Sequence, residues 1–165
     1  MALDATAKGT SSNSYVTNAE AETYFADRSG VADWVAATSA EEDDSLVTAT
    51  GVLDLEEYDG FPTTTTQRLQ WPRSGIVNRV HQTVDSDVIY RAVKEATFEL
   101  ALAIIKGEFS LSDTGLEGFR NVKVGPLDVT PNHGRRAVTL PEIVVRLLDG
   151  VRLGASGINV PARRG

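Results

Sequence analysis

Cysteine is absent from all 165 residues, so the chain has no disulfide framework, no thiolate nucleophile and no zinc-thiolate site. Histidine is scarce, with only His81 and His133 to supply an imidazole. No apolar run approaches the roughly 20 residues that a membrane-spanning helix requires, and no membrane partner is expected. The first fourteen residues contain Lys8, Gly9, Thr10 and a serine-rich patch rather than an apolar leader, which sets an expectation against export.

Catalytic signatures are missing in the same way. There is no P-loop, no Gly-x-Gly-x-x-Gly run and no His-Glu-x-x-His helix, so the parts needed to cradle phosphates or hold a catalytic zinc are absent. Nothing marks one serine as a nucleophile oriented by a histidine and an acid. His81 has Asp85 and Asp87 nearby in sequence but reads as a polar loop residue, and His133 sits in a turn-like run between Asn132 and Gly134. The acidic runs Glu41 to Asp44 and Glu56-Glu57 lack the alternating oxygen ligands of a calcium loop. Neither an enzyme, a metal nor a cofactor is expected.

What remains is ordinary globular material with an uneven charge. Hydrophobic residues make up 41% and charged residues 24%, a composition that suits one domain. A chain of this size buries roughly 70% of its unfolded surface. The net charge of −7 argues against a general nucleic-acid binder, which needs clustered Lys and Arg. Residues 1–60 carry thirteen acids against Lys8 and Arg28, whereas residues 133–165 carry six arginines against Glu142 and Asp149. Such a gradient suits pairing with copies of the chain or with a partner ring, and equally an accident of surface composition.

The patterning predicts a mainly α fold: a bundle of about four helices, a small β-hairpin before the last helix, and extended N- and C-terminal arms. Residues 1–13, small and polar, read as a flexible arm. Residues 14–153 form the helical domain. Thr17 with Glu20 fits a capping box opening a helix over 18–28, and Val31, Trp34 and Val35 form a short apolar turn. Ser39 with Glu42 reads as a second capping box, its helix running to Tyr58 before Gly60 and Pro62 stop it. The acids Glu41 to Asp44 then fall in the first turn, where the helix dipole favours them.

A long connection over residues 61–84 holds the stiff block Gln67-Arg68-Leu69-Gln70-Trp71-Pro72-Arg73-Ser74-Gly75. Its large ring and its proline mark Trp71 and Pro72 as a structural anchor. Asp85 or Ser86 is expected to cap the strongest helical pattern, from Ile89 through Ile104 to Lys106-Gly107, a rod of roughly 30 Å. Phe119, Val122 and Val124, then Gly125-Pro126, Leu127 and Val129, predict the hairpin at about 119–130. Pro141 opens a last helix through Leu148, and residues 154–165 form a C-terminal arm.

Two small clusters offer an aromatic ring beside cations: Arg68, Trp71 and Arg73, and Phe119, Arg120 and Lys123. Either could stack a base and neutralise phosphates, which keeps a single-stranded DNA binding accessory protein as the alternative function.

Ser14-Tyr15-Val16-Thr17, Ala19-Glu20-Ala21, Trp34 and Leu69-Gln70-Trp71-Pro72-Arg73-Ser74-Gly75 lie in one order with Ala92-Val93-Lys94-Glu95-Ala96, Glu99-Leu100-Ala101 and Val122-Lys123-Val124-Gly125-Pro126-Leu127. Over roughly residues 14–148 this pattern resembles the head-to-tail adaptor (neck) proteins of tailed bacteriophages. Sequences of that kind often carry the label of DnaT-like single-stranded DNA binding proteins. A departure is Tyr90, where a proline is expected near the start of the long helix.

The resemblance implies a helical subunit of a ring, usually of twelve copies, that lies beneath the portal and continues the channel for the genome. Its partners would be the portal protein, the next neck or tail protein and copies of itself. DNA would pass through without specific binding. The location would be the virion neck, with the host cytoplasm during assembly. For the portal contact the candidates are Ile158, Asn159, Val160 and Pro161 as an extended segment, with Arg163 and Arg164 meeting acids. Arg68, Arg73, Phe119, Arg120 and Lys123 are the candidates for subunit or tail contact.

Overall fold

Reciprocal side-chain caps set the starts of two helices in this chain, α1 and α3. A computed structural model describes residues 2–78, 80–109, 123–124, 127–128 and 140–153. Thr17 Oγ1 accepts from the Glu20 amide while the Glu20 carboxylate accepts from the Thr17 amide, and α1 follows over Asn18–Phe25. α2 spans Ala32–Ala36. α3 spans Ser39–Leu53, and its box uses Thr38 with Glu41, one residue before the expected Ser39 and Glu42. The physical reason is burial: Glu42 is only 6% exposed and accepts from Asn18 Nδ2 at 2.9 Å, so it faces α1 and cannot reach back to a cap.

α3 ends at Leu53, short of the expected Tyr58. The Tyr58 hydroxyl donates to the Leu53 carbonyl at 2.8 Å, folding the chain back under the helix end. β1 (Phe61–Pro62) and β2 (Arg73–Ser74) then pair antiparallel, Phe61 opposite Ser74. Gly60 permits this close crossing. Its φ is +67°, and an added Cβ would stand 2.2 Å from the Ser74 carbonyl oxygen.

α4 spans Arg91–Ile105 and is shorter than the expected rod, because Tyr90 is its N-cap and residues 85–89 stay extended or turned. Asp85 accepts from the Asp87 amide in a local turn, so it caps no helix. β3 (Lys123–Val124) and β4 (Leu127–Asp128) form the small antiparallel hairpin, inside the expected 119–130. α5 spans Glu142–Leu148 with Pro141 as N-cap. The fold is mainly α, with five helices among the described residues rather than about four, the short turn at Trp34 being a helix of its own.

α4 is the central helix. It packs on α3 along one side and on α5 along another, burying Val93, Ala96, Leu100 and Ala101. Glu41 to Thr48 share a groove with Ile104 and Ile105, while Leu53 at one end holds Tyr58 and Tyr90 at the other stacks on Trp71, which itself meets Tyr58, so α3 and α4 run antiparallel. α1 joins them through Tyr24, whose hydroxyl donates to Glu99 at 2.7 Å and whose ring lies 4.7 Å from Phe98. Arg28 pairs with the same carboxylate and lies over the Tyr24 ring. The Trp34 ring sits 4.7 Å from that of Phe25 and its Nε1 donates to Glu22.

The segment expected as a flexible N-terminal arm is folded back on the domain. Asp4 N donates to Asn13 Oδ1 at 2.7 Å and Asp4 O accepts from the amides of Asn13 and Ser14. Lys8 pairs with Asp87 at 2.5 Å. Asx and serine side chains thus satisfy the backbone that a small-residue segment leaves open. The expected C-terminal arm, 154–165, lies outside the described residues.

Replacing Thr38 by Ala is expected to lower unfolding free energy in urea by about 1 kcal/mol, and replacing Ser39 by Ala to leave it within about 0.5 kcal/mol.

Candidate functional site

The stiff block after β1 is the best candidate site in sequence, and its geometry divides it into an inward and an outward half. The inward half is built on Asp54, the residue that closes α3. Its carboxylate accepts from the Tyr15 hydroxyl at 2.5 Å and from the Gln70 amide at 2.6 Å. Gln70 Nε2 donates to the Asp54 carbonyl at 2.8 Å, so the loop is stitched to the helix end from both main chain and side chain. Burial and the Asp54 charge push the Tyr15 phenol well above its usual range, so Tyr15 remains a donor.

Arg73 follows two residues after Trp71 and is 5% exposed. Its Nε donates to the Asp59 carbonyl at 2.8 Å, Nη2 to the Tyr58 and Gly60 carbonyls at 3.2 and 2.8 Å, and Nη1 to Gln70 Oε1 at 2.8 Å. Burial lowers its pKa, while the surrounding tyrosines and carboxylates oppose that shift. Its guanidinium is held by carbonyl and amide oxygens of its own chain, so Arg73, expected as a subunit or tail contact, is turned inward.

Trp71 is 1% exposed, reached through a cis bond to Pro72, which is also buried. Its ring meets Tyr58 edge-on at 5.5 Å and stacks on Tyr90 at 6.2 Å. The Tyr90 position, where a proline is expected from the resemblance, thus carries one face of the Trp71 cage. Trp71 cannot stack a base in this position. Its Nε1 is the one buried side-chain nitrogen or oxygen without a hydrogen-bond partner among the described residues.

The outward half of the block is different. Arg68 is exposed, with Nη1 donating to the Ser11 carbonyl at 3.3 Å, and none of the described ion pairs includes it. With Leu69 and Gln70 it lines an open groove shared with Phe61 and Thr64. Phe61 is 76% exposed and carried on β1. No carboxylate lines this groove. Phe61 carries no periodic signal in the sequence, and only its place after Gly60 and before Pro62 hints that it stands outside the core.

The second cluster is largely beyond view. Phe119 and Arg120 lie outside the described residues, and Lys123 is placed only by its backbone in β3, opposite Asp128. Ile158, Asn159, Val160, Pro161, Arg163 and Arg164 also lie outside them, as does His133. His81 is an exposed turn residue with φ +59°, and Asp87 is paired with Lys8 rather than with it.

The opposite end of α3 presents the acids. Asp33, Glu41 and Asp44 rim a groove whose floor includes Ala36, Ala37, Ile104 and Ile105. Among the described residues no group of three or more acids and histidines is placed to hold a metal ion, and no helix is long and apolar enough to cross a membrane.

A family model described as "Putative DnaT-like ssDNA binding protein" matches residues 1–165. No curated protein and no solved structure matches the chain.

Trp71→Ala is expected to lower stability by about 3–5 kcal/mol in urea unfolding, through loss of a large buried ring. Arg73→Leu strands the carbonyls of residues 58–60 and is expected to cost about 3 kcal/mol. Arg68→Leu should stay within about 0.5 kcal/mol of wild type.

Proposed function

We propose, for a chain that belongs to the DnaT-like ssDNA binding family, that it is a non-enzymatic structural subunit of a phage neck. In this reading it forms a ring, of twelve copies by the resemblance, that joins the capsid portal to the tail and continues the DNA channel. It assembles in the host cytoplasm and resides in the virion, and Ile158 to Arg164 make the portal contact.

One observation supports this reading above the rest: the blocks that carry the resemblance are built into the interior. Tyr15, Val16, Trp34, Trp71, Arg73, Val93, Ala96, Leu100 and Ala101 are all buried. A repeated architectural subunit needs its characteristic residues there. A strand-binding protein needs rings and guanidinium groups outside, aligned along a basic groove. Here the described cations are mostly paired with carboxylates of their own chain, as in Lys94 with Glu20 and Arg152 with Glu56.

A second reading, a single-stranded DNA binding accessory protein, is favoured by the family's own description, which speaks for it more directly than for a neck role. Its hardware would be Phe61 to stack a base and Arg68 to meet a phosphate.

Two measurements separate the readings. Fluorescence titration of labelled oligo-dT at low and moderate salt should give, for a neck protein, no binding beyond the nonspecific range of about 10⁻⁴–10⁻⁶ M. Tighter binding with a steep salt slope transfers the conclusion to the accessory protein. Sedimentation with portal particles should recover the full chain, and deleting residues 154–165 should abolish recovery.

A further inference from the structure

Two faces of this chain, set at opposite ends of α3, complement one another. The Phe61 groove is tied to the C-terminal end of α3 by the Gln70 bonds to Asp54. The acid-rimmed groove lies beside the N-terminal half, from Glu41 to Thr48. The 15 residues of α3 span about 22 Å at 1.5 Å per residue, so one copy cannot close the two faces on each other without breaking its own helix.

Their chemistry matches. Arg68 is exposed and takes part in none of the described ion pairs; exposed Asp33 and Asp44 likewise take part in none. Phe61 is 76% exposed beside Arg68, and Ala36 and Ala37 line the acid-rimmed groove together with Asp33 and Asp44. An aromatic and arginine pair is the composition of an interface hot spot, and an apolar floor ringed by carboxylates is its natural seat.

We propose that the Phe61–Arg68 groove of one copy docks on the α2–α3 corner of a second copy, with Phe61 packing on Ala36 and Ala37, and Arg68 meeting Asp33 and Asp44. The occupant is a second copy of this chain. Because the two faces differ, the contact is heterologous and repeats from copy to copy, closing into a ring or growing into a filament. This deepens the ring of the proposed function and rests on that reading for its biological setting.

Sedimentation velocity of the full chain over a concentration series, at low and high salt, tests it. Wild type should self-associate, more weakly at high salt. Arg68→Glu should weaken association by about tenfold or more. Adding Asp33→Lys and Asp44→Lys to Arg68→Glu should restore most of it, which a merely unfolded variant could not do. A wild type that stays monomeric at every concentration overturns the contact. So does association indifferent to Arg68→Glu, although the ring itself then stands. Loss of oligo-dT binding in Arg68→Glu with self-association unchanged assigns the groove to nucleic acid and overturns the proposal. The neck reading is judged separately, by recovery with portal particles.

Discussion

Burying a guanidinium is costly unless each of its donors finds an oxygen, and the architecture around Arg73 is organised to supply them. Three successive carbonyls, those of Tyr58, Asp59 and Gly60, converge on it, and Gln70 closes the remaining side. Those carbonyls point inward only because α3 stops at Leu53 and the chain folds back beneath it. The same stretch holds the end of α5: Asp59 N donates to the Val151 carbonyl, Leu153 N donates to the Glu57 carbonyl, and Arg152 pairs with Glu56. Asp54 adds the N-terminal segment through Tyr15 and the loop through Gln70. Trp71 adds α4 through Tyr90. Distant parts of the chain therefore meet at one enclosed cation.

That arrangement divides the block between architecture and surface. Trp71, Pro72 and Arg73 are enclosed, whereas Arg68 and Phe61 are turned out. The outward pair is small, but it stands in a groove without carboxylates on an acidic chain, and this contrast makes it the most distinctive described surface. The two functional readings differ in what they would place there. A neck subunit would use it against protein, and a strand binder against a base and a phosphate.

Much of the fold was legible because local chemistry marked it. Thr17 with Glu20, the spacing of Val93, Ala96 and Leu100, and Pro141 at the start of α5 each carry their signal within a few residues. The misplacements have a common cause. Ser39 has the local pattern of a cap, but Glu42 faces α1. Asp85 has it too, but α4 starts after Tyr90, whose ring stacks on Trp71. The N-terminal segment lacked apolar content but not partners, since Asp4 and Asn13 bind each other's backbone.

The helical class, the hairpin, the uneven charge and the importance of the Trp71 block can all be read along the chain, because periodicity, capping and composition are local properties. Which way each member of that block points depends on contacts with distant stretches of chain. Arg68 and Arg73 are the same residue type five positions apart, and nothing local distinguishes them. One is enclosed and the other exposed because the carbonyls of residues 58–60 come from another stretch of chain, brought there by the end of α3.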